Sequence, residues 1–315
     1  MNILVTGGAG FIGSHLCEAL LNKGTNVICV DDFNNYYNPN FKEDNIKIGL
    51  KSKNFRLYRT DITGIKNLKL IFQKNKVEKI IHLAARAGVR ASINDPVLYE
   101  KVNVLGTLNL LELAKQFKIK NFIFGSSSSI YGNTKVPFEE DCNTDKQISP
   151  YAATKKAAEL ICYTYSHLYN IPITCLRLFT VYGPRGRPDM APYMFTELIY
   201  KGKELNVFGD GTTKRDYTYI TDIIKGILSV LDKEFKYEII NLGNSNPIEL
   251  NHFISIIEKN LGKKAKIKKM PIPPGDVLIT YSNIKKAKKM LNWQPKVKIE
   301  DGMKSFIEWY KNERT

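Results

Sequence analysis

Short, nearly continuous apolar runs alternate with segments of helical period through roughly the first 180 residues. NILVT (2–6), NVICV (26–30), NFRLY (54–58), KIIHL (79–83), NFIFG (121–125) and ITCLRLF (173–179) read as strands. Between them, FIGSHLCEALLNK, IKNLKLIFQKN, LYEKVNVLGTLNLLELAKQF and YAATKKAAELICYTYSHLYN repeat apolar residues at about 3.6-residue spacing, as amphipathic helices do. Strands apolar on both alternations are strands covered on both faces, so the pattern predicts an α/β protein built on a doubly wound parallel sheet. Ligands of such sheets bind beyond the carboxyl ends of the strands. After that point Pro and Gly punctuate VYGPRGRPDMAP, VFGDGTTKRD and MPIPPGDV, and the elements shorten. Residues 1–179 are expected to form the first domain, with 213–245 returning to it, and 180–212 with 246–315 to form a smaller C-terminal α/β domain. No internal repeat is visible.

Composition narrows the class. An apolar content of 43% supports a substantial core and argues against global disorder. No apolar run approaches the ~20 residues that span a bilayer, so no membrane partner is expected. The opening MNILVTGGAG has no charged n-region and enters a strand at once; it does not read as a signal peptide, and a cytoplasmic location is the default expectation. The five cysteines lack CxxC or metal-type spacing and read as small buried hydrophobes. With only four histidines, none spaced like a zinc site, no metal is expected. The net charge of +16 raises the question of nucleic acid. Its densest clusters, KKAKIKK (263–269) and KKAKK (285–289), read better as solvated faces, and a basic surface also suits a dianionic small molecule.

TGGAGFIG (6–13) spaces Gly7, Gly10 and Gly13 between a strand and a helix. Such a turn lets backbone N–H groups reach a pyrophosphate resting on the positive helix end, which makes the first domain a Rossmann nucleotide-binding domain. Asp31, ending the next strand in VDD, is placed to accept ribose hydroxyls and to repel a 2′-phosphate, which favours NAD over NADP. Asp61 in TDIT could meet an adenine edge or equally cap a helix. Tyr151 and Lys155 stand at i and i+4, so on a helix the phenol and ammonium share a face, and the cation pulls the phenol pKa down toward working pH. Alone, Tyr-x-x-x-Lys is common and usually a surface pair; Ser149-Pro150 places this one at a helix start. GSSSSIYG (125–132) has the composition of a linker but follows an apolar strand.

The glycine turn, the serine run after the fifth strand and the Tyr-x-x-x-Lys together resemble the short-chain dehydrogenase/reductase superfamily. TGGAGFIGSH and the chain length resemble its extended, sugar-nucleotide branch. The resemblance implies that Ser127, Tyr151 and Lys155 are catalytic: serine bonds the reacting hydroxyl, tyrosine exchanges its proton, and lysine holds the nicotinamide ribose while tuning the tyrosine. It also implies NAD contacts from Phe11, Ile12, Asp32, Asn34, Ile62, Leu83, Ala84, Ala85 and Phe179, beside Gly7, Gly10, Gly13, Asp31 and Asp61. Dehydratases of this branch carry Asp-Glu after the catalytic Ser/Thr, and decarboxylases a Glu near the following Tyr-Gly. Here Ser128 and Ser129 occupy those places, which leaves oxidation at C4 and its reversal, the chemistry of a 4-epimerase.

RLFTVYGPRGRPDMAP (177–192), HLAARAGVRASI (82–93), VDDFNNYY (30–37) and PPGDVLITYSNI (273–284) are similar to the UDP-glucuronate 4-epimerases, over essentially the whole chain. By that resemblance Thr180, where many UDP-hexose epimerases have Asn, and Arg187 would bind the substrate carboxylate beside Ser127. Arginine suits the task because its planar fork matches a carboxylate. Arg90, Met190, Phe208, Arg215 and Asp276 would line the UDP pocket. Many extended epimerases carry an Arg shortly before the PGD element; MPIPPGDV has none, as in the glucuronate branch. The implied reaction converts UDP-glucuronate to UDP-galacturonate through a 4-keto sugar that turns over within the pocket. A 4-epimerase of a neutral UDP-hexose, UDP-N-acetylhexosamine or UDP-pentose is the nearest alternative. A redox-sensing or RNA-binding protein of the same fold that has lost catalysis is disfavoured by the presence of both Tyr151 and Lys155, so no nucleic-acid partner is expected. Apolar and aromatic residues on more than one face of the helices near 97–117 and 151–169 (Leu108, Leu111, Leu160, Tyr163, Tyr165) suggest a homodimer paired through a four-helix bundle.

Overall fold

The computed structural model describes residues 1–271 and 277–314. Strands β1 (Asn2–Thr6), β2 (Asn26–Asp31), β3 (Phe55–Arg59), β4 (Lys79–His82), β5 (Asn121–Ser127) and β6 (Ile173–Leu178) join an edge strand, Tyr237–Leu242, in one seven-stranded sheet. From that edge the order is β6, β5, β4, β1, β2, β3. All pairings from β3 through β6 are parallel. The order reverses between β1 and β4, a switch point of the kind beyond which doubly wound sheets bind nucleotides. The doubly wound α/β fold expected from the alternation is therefore present.

The strands are apolar on both alternations because helices cover both faces: Ile3, Leu4 and Val5 of β1 are fully buried. Leu4, Ile28, Ile80, Phe122 and Phe124 share one cluster with Leu110, Leu111 and Leu113 from the helix Gly106–Gln116. Two departures from the sequence pattern bear on function. β5 extends two residues beyond NFIFG, so Ser126 and Ser127 are strand residues and Ser128–Tyr131 form a 3-10 turn. The serine run is thus buried strand followed by a tight turn, and the linker composition misleads. The helix Asn40–Leu50 was not signalled, because the residues it buries include Lys42 and Asn45, which pack through polar bonds rather than an apolar stripe.

The chain divides into two compact units. The first comprises Met1–Gly132, Cys142–Leu178 and Ile224–Ile240. The second comprises Asn133–Asp141, Phe179–Ile223 and Asn241 onward. The stretch counted with the first unit is thus shorter than the 213–245 expected, and 133–141 falls in the second. The second unit contains a three-stranded sheet (Pro247–Glu249, Lys214–Tyr219, Thr180–Tyr182) and a parallel pair (Lys266–Met270, Glu204–Phe208). Its core is aromatic, with Tyr217 stacked on Phe253 at 4.5 Å. Asp222 fixes one of its turns by accepting the Lys296 and Val297 N–H groups on Oδ2.

Candidate active site

In the first unit the chain turns sharply at the carboxyl end of β1. Gly7 has φ +69°, its N–H donates to Val30 O at 2.8 Å, and a Cβ there would sit 2.8 Å from the Ala84 backbone nitrogen. A Cβ on Gly13 would lie 2.1 Å from Gly7 O, so the helix Phe11–Asn22 can start hard against the turn only with glycine there. Gly10 precedes this helix without any side-chain cap, leaving the positive end of the helix dipole to an anion. Phe11 is buried and Ile12 half-buried in its first turn.

At the end of β2, Asp31 is buried, and both of its oxygens accept hydrogen bonds. Its Oδ2 accepts from Ala9 N at 3.1 Å, and its Oδ1 accepts from Phe33 N at 3.0 Å and from Lys42 Nζ at 2.9 Å. Lys42 is itself buried and lies 3.6 Å from exposed Asp32. Asp32 in turn accepts from Asn34 N and Nδ2. The carboxylate is therefore held between the glycine turn and a lysine the sequence reading missed. No motif marks Lys42; its only signal is a charged residue that a lysine-rich helix would otherwise leave in solvent. Asp61 accepts from Thr63 N at 2.8 Å, an Asx turn ahead of the helix Ile65–Asn75, whose cap residue is Gly64. Ile62 beside it is buried.

The segment after β4 runs between the β1 turn and β5. Ala84 lies against Gly7, Leu83 packs over Gly125, and Ala85 is half-buried beyond them. Asn103, in a π turn (Lys101–Leu105), clamps this segment by accepting from Arg86 N at 2.8 Å and donating to Arg86 O at 3.0 Å. His82, the last residue of β4, bridges Thr6 Oγ1 and Thr107 Oγ1. Thr107 donates its own proton to Asn103 O, so His82 Nε2 carries the proton and Nδ1 accepts from Thr6. Burial and the nearby Lys155 push the His82 pKa down to about 3, and the imidazole stays neutral. It is a strut, not an acid or base.

Ser127 ends β5, buried, with Oγ accepting from Ser129 N at 3.2 Å. The helix Pro150–Tyr169 begins as its sequence requires: Ser149 Oγ accepts from Ala152 N at 3.2 Å and Pro150 occupies the first turn. Half-buried Tyr151 sits in that turn, its ring edge-on to Tyr99 at 6.2 Å. One turn on, Lys155 is 3% exposed, donates to Gly125 O at 2.7 Å and lies 4.7 Å over the Phe124 ring. Burial drives its pKa down to about 8, against opposing contributions from Cys162, Glu159 and Cys175. The serine strand and the Tyr/Lys helix are thus joined at Gly125, two residues before Ser127. Arg90 is exposed on the short helix Val89–Asn94.

In the second unit, Thr180 opens the strand Thr180–Tyr182 opposite Tyr217, two residues along from Arg215. Arg187 forms a two-point ion pair with Asp189, Nε to Oδ1 at 2.9 Å and Nη2 to Oδ2 at 2.5 Å. Met190 caps the helix Ala191–Tyr200 and Phe208 ends the strand Glu204–Phe208. Arg215 donates to Lys214 O at 3.0 Å. The ring of Phe179 packs in this unit's core, 6.3 Å from Phe138. Asp276 lies outside the described residues.

Comparison with known proteins places this geometry. The model of the NAD dependent epimerase/dehydratase family matches residues 3–243. The UDP-glucuronate 4-epimerase of Thermodesulfobacterium geofontis (strain OPF15) is 50% identical over 309 residues, covering 98% of this chain and 95% of that protein. The crystal structure of UDP-glucuronic acid 4-epimerase from Bacillus cereus, in complex with UDP-glucuronic acid and NAD, superposes with a TM-score of 0.94 at 39% identity, over 99% of both chains. The UDP-glucose 4-epimerase of Thermotoga maritima, solved with UDP-glucose, gives 0.91 at 33% identity, also over 99% of both chains.

Proposed function

The chain belongs to the NAD-dependent epimerase/dehydratase family, and on that premise we propose that it interconverts UDP-glucuronate and UDP-galacturonate by epimerisation at C4. The cofactor is NAD. The first unit fits it on three counts: a turn with no room for a Cβ on Gly7, a helix start without a side-chain cap, and a buried carboxylate at the end of β2. Gly7, Gly10, Gly13 and Asp31 hold the dinucleotide, with Ala84 and Ala85 along its path. When bound, NAD supplies the oxidant that takes C4 to the ketone and restores it.

The observation that carries the reading is the junction at β5, where buried Lys155 is tied to Gly125 O two residues before Ser127, with no carboxylate at the two positions that follow. Ser127 hydrogen-bonds the C4 oxygen. Tyr151 takes the C4 hydroxyl proton and returns it, and Lys155 on the same helix face favours the phenolate. Ser128 and Ser129, which follow Ser127, offer no carboxylate to work at C5 or C6. Thr180 and Arg187 receive the sugar carboxylate, while Arg90, Met190, Phe208, Arg215 and Asp276 contact the UDP portion.

A neutral UDP-hexose is the second reading, favoured by the Arg187–Asp189 ion pair, which already supplies the guanidinium with a carboxylate. Turnover of UDP-glucuronate and UDP-glucose side by side, followed by NMR, separates the two. Arg187→Ala is expected to lower kcat/KM for UDP-glucuronate about 10- to 100-fold, as loss of a charge-assisted pair does, and to leave UDP-glucose nearly unaffected. Equal losses on both sugars would assign Arg187 to another role.

The same proposal includes a homodimer and a cytoplasmic location, without a nucleic-acid or membrane partner. Leu160 and Tyr163 are 56% and 53% exposed, and Leu105 and Val97 are exposed on the neighbouring helical stretch, an apolar face that a second copy would cover. Leu111, by contrast, is core, and Tyr165 is tied to Glu112. All five cysteines are free thiols, which suits a reducing compartment. Among the described residues no helix is long and apolar enough to cross a membrane.

A further inference from the structure

One buried charge pair in the first unit is not used by the chemistry described above. Glu159 lies one helical turn beyond Lys155 and two beyond Tyr151, on the same face of the helix Pro150–Tyr169. It is 1% exposed, as is Arg177, the penultimate residue of β6. Glu159 Oε1 accepts from Ser126 Oγ at 2.6 Å and from Arg177 Nε at 3.0 Å, and Oε2 accepts from Arg177 Nη2 at 2.8 Å. Ser126 and Arg177 are direct cross-strand partners in the β5–β6 register, so their side chains meet the carboxylate from one face. Arg177 also lies 4.8 Å over the ring of Tyr131, in the turn that follows Ser127.

A carboxylate and guanidinium taken fully out of water gain little net stability over an apolar pair of equal volume, so their presence is better explained by the geometry they enforce. Here one carboxylate binds three elements: the helix that carries Tyr151 and Lys155, the strand that ends on Ser127, and β6. Together with the Lys155 bond to Gly125, it fixes two consecutive residues of β5, Gly125 and Ser126, to the helix immediately before the serine. We infer that Glu159 is a positioning residue for the epimerase reaction, holding Ser127 in register with Tyr151 and Lys155 through a buried Ser126–Glu159–Arg177 clamp. The inference rests on the epimerase reading of the site. Its consequence follows from the sensitivity of proton transfer to placement, where a shift of about 1 Å costs ~100-fold in rate.

A second consequence is electrostatic. Lys155 is faced by Glu159 and Cys162 on its own helix, by Cys175 on β6, by His82 on β4 and by the Phe124 ring and Gly125 carbonyl on β5. Of these, Glu159 is the carboxylate that supports the ammonium, while neutral His82 adds no charge. Removing the Glu159 charge leaves Arg177 uncompensated nearby, and both changes disfavour the Lys155 cation.

The test uses Glu159→Gln and Ser126→Ala in the full chain, assayed well below their melting temperatures. Glu159→Gln is expected to lower kcat about 10- to 100-fold with KM for the UDP-sugar within about twofold, and to move the alkaline limb of the kcat profile to lower pH. Ser126→Ala removes one tie and keeps the ion pair, so a smaller fall in kcat, again without a KM change, is expected. A purely structural pair would lower the melting temperature and leave kcat and its pH profile unchanged in the folded variants, which overturns the inference. Should Glu159→Gln fail to fold, Ser126→Ala alone decides by the same kcat and KM split. Wild-type turnover of UDP-glucuronate is measured first and separates failure of the epimerase reading. Should the wild type be inactive on every UDP-sugar, alkaline ultraviolet titration of Tyr151, isolated by difference from Tyr151→Phe, still decides: an upward shift in Glu159→Gln supports the clamp and an unchanged titration overturns it.

Discussion

Lys155 must hold a positive charge in a place that water does not reach. Burial brings its pKa down to about 8, so the cation proposed to support the Tyr151 phenolate is lost as pH rises through that value. The kcat profile is expected to fall above about pH 8, measured with buffers overlapping across the limb. Stability moves the opposite way. With the folded pKa below the unfolded 10.5, the unfolded chain binds more protons between about 8 and 10.5, and the Lys155 contribution to stability rises with pH across that window. Tyr151→Phe removes the proposed proton acceptor and is expected to lower kcat by about 10²–10⁴-fold while retaining NAD, measured by NMR turnover and by cofactor content of the folded protein. Asp31 was legible because a glycine turn and a strand end frame it. Its partner Lys42 was not, since a lysine in a lysine-rich helix carries no mark of burial. Lys42→Met leaves that buried carboxylate without its cation and is expected to cost roughly 3–5 kcal/mol, read from denaturant unfolding. Glu159 and Arg177 were both visible in principle: a carboxylate at i+4 from Lys155, and an arginine inside the apolar run ITCLRLF, a place where a charge needs a partner.

At the scale of elements, β1 to β6 and the helices named with them in the first 180 residues followed from periodicity because their cores are apolar on a regular repeat. The helix Ile65–Asn75 matches IKNLKLIFQKN residue for residue. Periodicity was silent where polar bonds do the packing, as in the helix Asn40–Leu50, and it read as plain helix the stretch where one residue is inserted, the π turn Lys101–Leu105. The end of β5 was hidden by composition: four serines suggest a flexible spacer until two of them pair with Arg177 and Leu178 across the sheet. The glycine turn is the element most exposed to a single change. Gly7→Ala combines a positive φ with a Cβ placed against the Ala84 backbone, so about 1–3 kcal/mol of stability and most NAD binding are expected to be lost. Calorimetry with and without added NAD reads both losses in one experiment.

At the scale of the molecule, the net charge of +16 accompanies an enzyme whose proposed substrate carries a diphosphate and a carboxylate, and a basic surface suits such an anion. The face bearing Leu160 and Tyr163 is expected to be buried between two copies. Leu160→Glu combined with Tyr163→Glu would place charge in that proposed interface, and light scattering is expected to report a dimer for the unmodified chain and a monomer for the double variant. The division of the chain was partly legible, since the change of rhythm near residue 180 coincides with the second unit's Phe179–Ile223 segment. The shorter return at 224–240 was not, because the helix Ile220–Leu231 crosses the boundary without a break in its apolar pattern. The central claim is C4 epimerisation of UDP-glucuronate, and the most direct test is NMR of the reaction with UDP-glucuronate deuterated at C4. UDP-galacturonate is predicted to accumulate to an equilibrium mixture with deuterium still at C4. Conversion of UDP-glucose but not UDP-glucuronate, or a product carrying solvent hydrogen at C4, would contradict the account.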